Sequence, residues 1–104
     1  MVDQYIKEQK FDEALRLSEE AAKLEPKNAA SHMMLGESLV AKGETEKGIA
    51  ALEQAEKLAP ETIRTHWDLL RVYASAGRSQ DAKREKETIE EISRPETKPV
   101  VQDR

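Results

Sequence analysis

Residues 26–60, PKNAASHMMLGESLVAKGETEKGIAALEQAEKLAP, contain the pattern that decides the fold. Apolar side chains recur at helical spacing both before and after Gly43. Gly43 can adopt the left-handed conformation that ends a helix, and Thr45 is predicted to be the N-cap of the next one. The residue before Pro60 is pushed out of the helical region, so the second helix must end there. The stretch therefore predicts two helices joined by a short turn.

The same pattern recurs along the chain at a step of 34 residues. Seven sets of similar residues follow this step: Pro26 and Pro60; Gly43 and Gly77; His32 and His66; Leu35 and Leu69; Tyr5, Leu39 and Tyr73; Ala21, Ala55 and Ile89; Leu24, Leu58 and Ile92. No stretch alternates with a period of two, so no strand is predicted. A period of this length that is repeated along a chain indicates stacked helical hairpins.

The repeat predicts six helices: Val2–Glu8, Phe11–Leu24, Ala29–Lys42, Thr45–Leu58, Thr62–Ala76 and Ser79–Ile92. Ser79 is predicted to cap the last of them, as Thr45 caps its counterpart. The units span about residues 1–28, 29–62 and 63–95, giving a repeat domain over 1–93 and a proline-containing disordered tail over 94–104. The most buried residues are predicted to be Leu35, Leu39, Leu52, Ala55, Leu58, Leu69 and Tyr73.

The two ends of the chain suggest a piece of a longer array. The first unit is truncated, because only Val2–Glu8 remains of its first helix. The last helix is unusually polar, as a terminal unit requires. We therefore expect a C-terminal fragment whose N-terminal end either associates with a second copy or is covered by a preceding repeat. Val2–Glu8 is expected to be the least ordered helix.

Composition excludes several classes of protein. The chain has 104 residues, enough for one domain, and no cysteine, so it has neither disulfides nor thiolate metal sites. A net charge of −4 argues against non-specific nucleic-acid binding. No signal peptide and no apolar run of about 20 residues are visible, so membrane association is not expected. The compartment stays open, with the cytoplasm as the default expectation.

The residues at these spacings resemble the tetratricopeptide repeat, a helix–turn–helix unit of about 34 residues. The middle unit carries Leu35-Gly36, Ala55 and Pro60 of that pattern, and Phe11-Asp12-Glu13-Ala14-Leu15 is typical of the family's second helix. The resemblance covers about residues 2–95 and implies an all-α fold, a right-handed α-solenoid of antiparallel helix pairs. It also implies a non-enzymatic protein–protein interaction module, in which the first helix of each unit lines a concave groove.

The sequence departs from the family pattern at several positions. His32 and His66 replace the usual tryptophan of the first helix, and Gly48 replaces the usual alanine. Glycine inside a helix costs about 1 kcal/mol relative to alanine, so Gly48 is expected to weaken its helix.

No set of residues supports catalysis, metal binding or a cofactor. His32 and His66 occupy equivalent positions one repeat apart, so they should not converge on one site, and we interpret each as a core substitute for the tryptophan. The four glycines are isolated, which excludes a glycine-rich phosphate loop. The many carboxylates alternate with basic residues on helix faces, where Glu53 and Lys57 are i,i+4 partners, so solvated faces are the expected interpretation.

The resemblance places a binding surface on the concave face. The predicted partner-binding residues are Met33, Met34, Glu37, Arg64, Trp67, Asp68 and Arg71. Methionine and tryptophan would form an adaptable apolar surface, and the arginines could contact a carboxylate. The alternative is that Met33 and Trp67 pack between helices or cover a shallow groove.

The partner is expected to be a protein or a peptide of unknown identity. Family members that clamp the C-terminus of chaperones need asparagine and basic residues in the groove, and Asp3, Met34 and Asp68 stand at those positions. That ligand class is therefore not expected. A purely structural module that stacks or self-associates remains the alternative function.

Overall fold

A computed structural model describes residues 11–94 of the chain. Within these residues it contains five helices and no strand: α1 (Phe11–Leu24), α2 (Ala29–Ala41), α3 (Thr45–Leu58), α4 (Ile63–Ser75) and α5 (Ser79–Ser93). Successive helices pack against one another, and α2 against α3 is the most extensive of these contacts. The five helices predicted for this part of the chain are confirmed, each end within one residue. The predicted helix Val2–Glu8 and residues 95–104 of the predicted tail lie outside the described residues.

Two matching turns join the helices within each complete pair. Gly43 and Gly77 have φ angles of 96° and 77°, the left-handed region that glycine adopts without steric cost. After each glycine, one backbone N–H reaches back to the preceding helix: Glu44 donates to the Leu39 carbonyl at 2.9 Å, and Arg78 to that of Tyr73 at 2.8 Å. These are Schellman motifs, so the predicted helix stops at the two glycines are confirmed.

The predicted N-caps at Thr45 and Ser79 are wrong. The caps are Glu44 and Arg78, neither of which caps through its side chain, and Thr45 and Ser79 are the first helical residues. The reason is that the residue after each glycine closes one helix and also opens the next. A true side-chain cap opens α2, where Asn28 Oδ1 accepts the N–H groups of Ala30 at 2.9 Å and Ser31 at 3.3 Å.

The core lies where α2, α3 and α4 meet. Its central cluster consists of Met33, Ile49, Leu52, Ala55, Leu69, Val72 and Tyr73. The predicted burial of Leu39, Leu52, Ala55, Leu69 and Tyr73 is confirmed.

Leu35 and Leu58 are only half-buried, so their predicted place among the most buried residues is wrong. Leu35 lines an open cleft with Glu19, Ala22 and Lys23 of α1, and Leu58 is the last residue of α3. Both leucines have the right residue type and repeat position, but each lies at the margin of a helix packing surface.

Glycine lets α2 and α3 approach each other closely. A Cβ atom on Gly48 would lie 2.5 Å from Val40 Cγ2, and one on Gly36 would lie 2.6 Å from Leu52 Cγ. Both distances are below van der Waals contact. Gly48 lowers the intrinsic stability of its helix, as predicted, but it also permits a close contact between α2 and α3 that an alanine would disturb.

None of the described helices is both long enough and apolar enough to cross a membrane.

Candidate protein-binding groove

A groove of about 810 Å³ runs between α2 and α4. Leu52 of α3 and Val72 of α4 contribute to its apolar lining, together with Val40 and Ala41 of α2. The groove is open to solvent on one side, and its remaining lining comes from one aromatic, one aliphatic and four charged side chains. These are Trp67, Ile63, Glu37, Arg64, Asp68 and Arg71. It is therefore an apolar cleft with charged walls, the usual composition of a ligand groove.

Trp67 and Ile63 form an exposed apolar patch in the groove. Their exposed fractions are 48% and 38%, and they are two of the three large hydrophobic residues that are exposed in the described chain. They lie four positions apart on α4, so their side chains share one helix face. A half-exposed tryptophan beside an aliphatic side chain is the kind of surface that anchors a protein partner.

An ion pair joins the two helices that form the groove. Arg64 of α4 donates from Nε and Nη2 to the two carboxylate oxygens of Glu37 on α2, each at 3.1 Å. This two-bond geometry is directional and stronger than a single contact between the same groups. Arg64 therefore contacts Glu37 across the groove, and this contact competes with any ligand carboxylate for its guanidinium.

Asp68 is a buried acid on the groove wall. Only 5% of the residue is exposed, and its Oδ1 accepts a hydrogen bond from Arg71 Nη2 at 2.5 Å. Its Oδ2 is the buried side-chain polar atom that has no hydrogen-bond partner among residues 11–94. Buried polar atoms almost always have a hydrogen-bond partner, so this oxygen is an unsatisfied acceptor that a donor group could bind.

Five of the seven predicted partner-binding residues line the groove, and the two methionines do not. Met34 is half-buried, and Met33 is 8% exposed within the core cluster, so its predicted exposed position is wrong. Met33 is covered because Leu69 and Tyr73 of the following unit belong to the same cluster. Trp67 holds the equivalent position one unit later, and the described residues contain no later unit to cover it.

A second group of polar side chains was missed by sequence reasoning. His66 of α4 and Glu85 of α5 are 2% and 4% exposed, and His66 Nδ1 lies 2.7 Å from Glu85 Oε1 and 3.2 Å from Glu56 Oε2. The expectation that the carboxylates lie on solvated faces is therefore wrong for Glu85. A signal was available: Glu85 falls three positions after Ala82 and four before Ile89, on the inward face of its helix.

The neighbours of this cluster change its protonation. Burial raises the pKa of Glu56 to about 7, aided by its hydrogen bond to the Glu85 carboxyl and by the charge of that group. Burial opposes charge on His66, but the Pro60 carbonyl and the Glu85 and Glu56 carboxylates outweigh it and raise the pKa of the ring. Glu56 and His66 therefore hold their protons more tightly than the same groups would in water.

The two histidines make equivalent contacts, each to the backbone carbonyl of the proline six residues before it. His66 Nε2 lies 2.6 Å from the Pro60 carbonyl oxygen, and His32 Nε2 lies 2.7 Å from that of Pro26. The expected burial in the helix interface holds for His66, whereas His32 is half-buried. In each unit the histidine therefore ties the first helix to the proline turn that precedes it.

Comparison with known proteins decides the family. The model of the tetratricopeptide repeat family matches residues 5–64, more than half of the chain. The chain belongs to the tetratricopeptide repeat family. No curated protein matches it significantly over its sequence.

Solved structures of the same fold cover nearly all of this tetratricopeptide chain. A double mutant of MamA from RS-1 has a TM-score of 0.85 at 24% identity, covering 91% of this chain and 53% of its own. MamA from AMB-1 has a TM-score of 0.78 at 25% identity, covering 88% and 54%. The type III secretion translocator chaperone SycD of Yersinia enterocolitica has a TM-score of 0.82 at 15% identity, covering 93% and 68%. The chain thus spans about half the length of these MamA structures.

These likenesses confirm the predicted fold class, a right-handed all-α solenoid of antiparallel helix pairs. The tetratricopeptide fold is typical of protein–protein interaction modules, and the family is generally non-enzymatic.

Proposed function

We propose that this chain is a non-enzymatic scaffold or adaptor module whose groove binds a peptide or a helix of a partner protein. The observation that carries the proposal is the exposed pair of Trp67 and Ile63 in an apolar cleft of about 810 Å³. Tryptophan is the residue type most enriched among the energetic centres of protein interfaces. The fold shared with SycD, itself a chaperone of a translocator, agrees with a protein partner.

The groove residues suggest distinct roles in binding. Trp67 and Ile63 would hold an apolar side chain of the partner, which removes their surface from water. The Arg64–Glu37 pair would keep α2 and α4 at a fixed spacing, so the groove is formed before the partner arrives. Asp68 Oδ2 would accept a hydrogen bond from a partner N–H group after a small adjustment of its side chain.

This arrangement favours a partner segment that donates hydrogen bonds over one that presents a terminal carboxylate. Both arginines of the groove are already paired with carboxylates, Arg71 with Asp68 and Arg64 with Glu37. A carboxylate would have to break that two-bond pair to bind Arg64. The proposed ligand therefore combines an apolar side chain with backbone or basic donors.

Selection from a displayed library of short random peptides would test the proposal. The wild-type chain is expected to enrich peptides with an apolar anchor, and Trp67→Ala is expected to bind them at least about tenfold more weakly. Leu24→Ala is the matched control, because Leu24 is 76% exposed and does not line the groove. Equal affinity of Trp67→Ala and the wild type for the selected peptides would refute the groove as the binding site.

A structural stacking or self-association module is the second candidate. It is favoured by the comparison of Met33 with Trp67, because the following unit covers the first of these equivalent residues. In that case a further repeat or a second copy of the chain would cover Trp67. Sedimentation at several concentrations separates the two functions: an apparent mass that rises with concentration in the wild type and stays constant in Trp67→Ala would support stacking.

A further inference from the structure

Three side chains that can ligate a metal converge where α3, α4 and α5 meet. Glu56, His66 and Glu85 each come from a different helix, and one donor atom of each lies within 4.8 Å of the other two. His66 and Glu85 are almost fully buried, while the Glu56 side chain is 29% exposed. The cluster is thus enclosed on the side of the helices and open to solvent past Glu56. It lies outside the groove lining described above.

The imidazole faces the carboxylates with the nitrogen that a metal would bind. Nε2 lies 2.6 Å from the Pro60 carbonyl oxygen, which can only accept, so Nε2 carries a proton and donates it. Nδ1 is left to face Glu85 and Glu56. A histidine ligand usually donates its other ring N–H to a carbonyl or carboxylate, which fixes its orientation, and His66 has this arrangement.

When both carboxylates are ionised, the cluster is one positive charge short. Nδ1 can carry a single proton, yet two carboxylate oxygens approach it at 2.7 and 3.2 Å. Two carboxylates that are drawn together in a buried place need either a shared proton or a cation between them. A divalent ion with neutral imidazole and two carboxylates gives a net charge of zero.

The preceding repeat shows that the histidine does not need these carboxylates for its structural role. His32 Nε2 makes the same bond to Pro26, at 2.7 Å. The positions 34 residues before Glu56 and Glu85 are Ala22 and Ala51. The histidine–proline contact therefore forms in both units, and the two carboxylates beside the histidine are present only in the later one.

We propose that Glu56, His66 Nδ1 and Glu85 bind a divalent transition-metal ion of the Zn²⁺ type, with water completing the coordination. One imidazole nitrogen and two carboxylate oxygens are donors that Zn²⁺ accepts at about 2.0–2.2 Å. Ligands of a tetrahedral ion at those bond lengths lie about 3.3 Å apart. Glu56 already lies 3.2 Å from Nδ1, whereas Glu85 at 2.7 Å must withdraw by about 0.6 Å.

The bound ion would join three helices and fix α5 to the rest of the solenoid. α5 is the most polar of the described helices, and its only buried residues are Glu85 and Ile89. An ion that binds the folded chain alone stabilises it in proportion to the logarithm of the free metal concentration. The role assigned to the metal is therefore structural, and it is independent of whether the groove binds a peptide.

Titration of the untagged, chelator-treated chain of 104 residues with Zn²⁺ tests the site by calorimetry and by melting temperature. The wild type is expected to bind one ion per chain and to melt at a higher temperature with Zn²⁺. Glu56→Gln is expected to bind at least about tenfold more weakly. It is the primary variant because its side chain is partly exposed and glutamine keeps its shape, so its fold should survive. His32→Gln is the matched control and should bind Zn²⁺ like the wild type.

A spectroscopic measurement identifies the ligand atom even where melting is ambiguous. ¹⁵N NMR of the histidine rings should show that Zn²⁺ shifts Nδ1 of His66 and leaves the His32 ring unchanged. No Zn²⁺-dependent change in the wild type would overturn the proposal. So would equal binding by the wild type and Glu56→Gln, or an equal rise in melting temperature with Mg²⁺, which would indicate general screening of an acidic chain.

Discussion

Replacing Gly48 with alanine is expected to destabilise the protein, although alanine is the better helix former. The added Cβ would lie 2.5 Å from Val40 Cγ2, 3.0 Å from the Gly36 carbonyl oxygen and 3.1 Å from the Val40 backbone nitrogen. The Val40 methyl group is on a β-branched side chain with few rotamers. The other two atoms belong to the backbone of α2, which can yield only if α2 moves away from α3.

The magnitude follows from two opposing effects. Alanine gains about 1 kcal/mol over glycine in a helix interior. Forcing an extra carbon into a packed contact costs about 1–3 kcal/mol. The expected net loss is about 1 kcal/mol of unfolding free energy, which lowers the melting temperature of a domain of this size by about 4–8 °C.

Thermal and urea unfolding followed by circular dichroism would measure this change. Ala50→Gly is the control for helix propensity, because Ala50 is exposed on the same helix, and it should lose about 1 kcal/mol. Val40→Ala removes the worst overlap, so adding it to Gly48→Ala should cost less than the two single losses together. If Gly48→Ala raised the melting temperature by as much as Ala50→Gly lowers it, the close helix contact would be refuted.

Three further predictions concern the core, a helix cap and pH. Leu52→Ala should cost about 2–5 kcal/mol in urea unfolding, since Leu52 is fully buried; a loss below about 1 kcal/mol would contradict its place in the core. Asn28→Ala should cost about 1 kcal/mol by removing the side-chain cap of α2, and Asn28→Asp should restore most of it. The Glu56 pKa is raised from 4.5 to about 7 in the folded, metal-free chain, so stability from its protonation is complete below pH 4.5 and is lost as pH rises to about 7. Glutamine does not ionise, so the melting temperature of Glu56→Gln relative to the wild type should rise over that range; a constant difference would contradict the shift.

The helix boundaries could be predicted from the sequence because local chemistry determines them. Gly43 and Gly77 end helices through a backbone conformation that glycine adopts freely, and Pro26 and Pro60 restrict the residue before them. The predicted caps at Thr45 and Ser79 are each one position too late, because the caps are Glu44 and Arg78. That error arises because one residue serves both neighbouring helices, which residue preference alone does not show.

The side-chain environment was less predictable because it depends on which unit follows. Met33 and Trp67 occupy equivalent positions, but the next helix pair covers only Met33. Helix propensity alone makes Gly48 unfavourable, whereas in the structure its missing side chain allows α2 to pack closely against α3. Glu85 looked like one more surface carboxylate, and its partner His66 is 19 residues away. In each case the deciding neighbour is distant in the sequence.

The most direct test of the protein-interaction function uses Trp67, the only tryptophan of the chain, as its own reporter. A peptide selected on the wild type would be titrated into the wild type and into Leu24→Ala while tryptophan fluorescence is recorded. Calorimetry would give the affinity of Trp67→Ala for the same peptide. The proposed function predicts a saturable fluorescence change with equal affinity in the first two proteins, and binding at least about tenfold weaker in Trp67→Ala. Peptide binding that leaves the fluorescence unchanged and is equally tight in Trp67→Ala would contradict it.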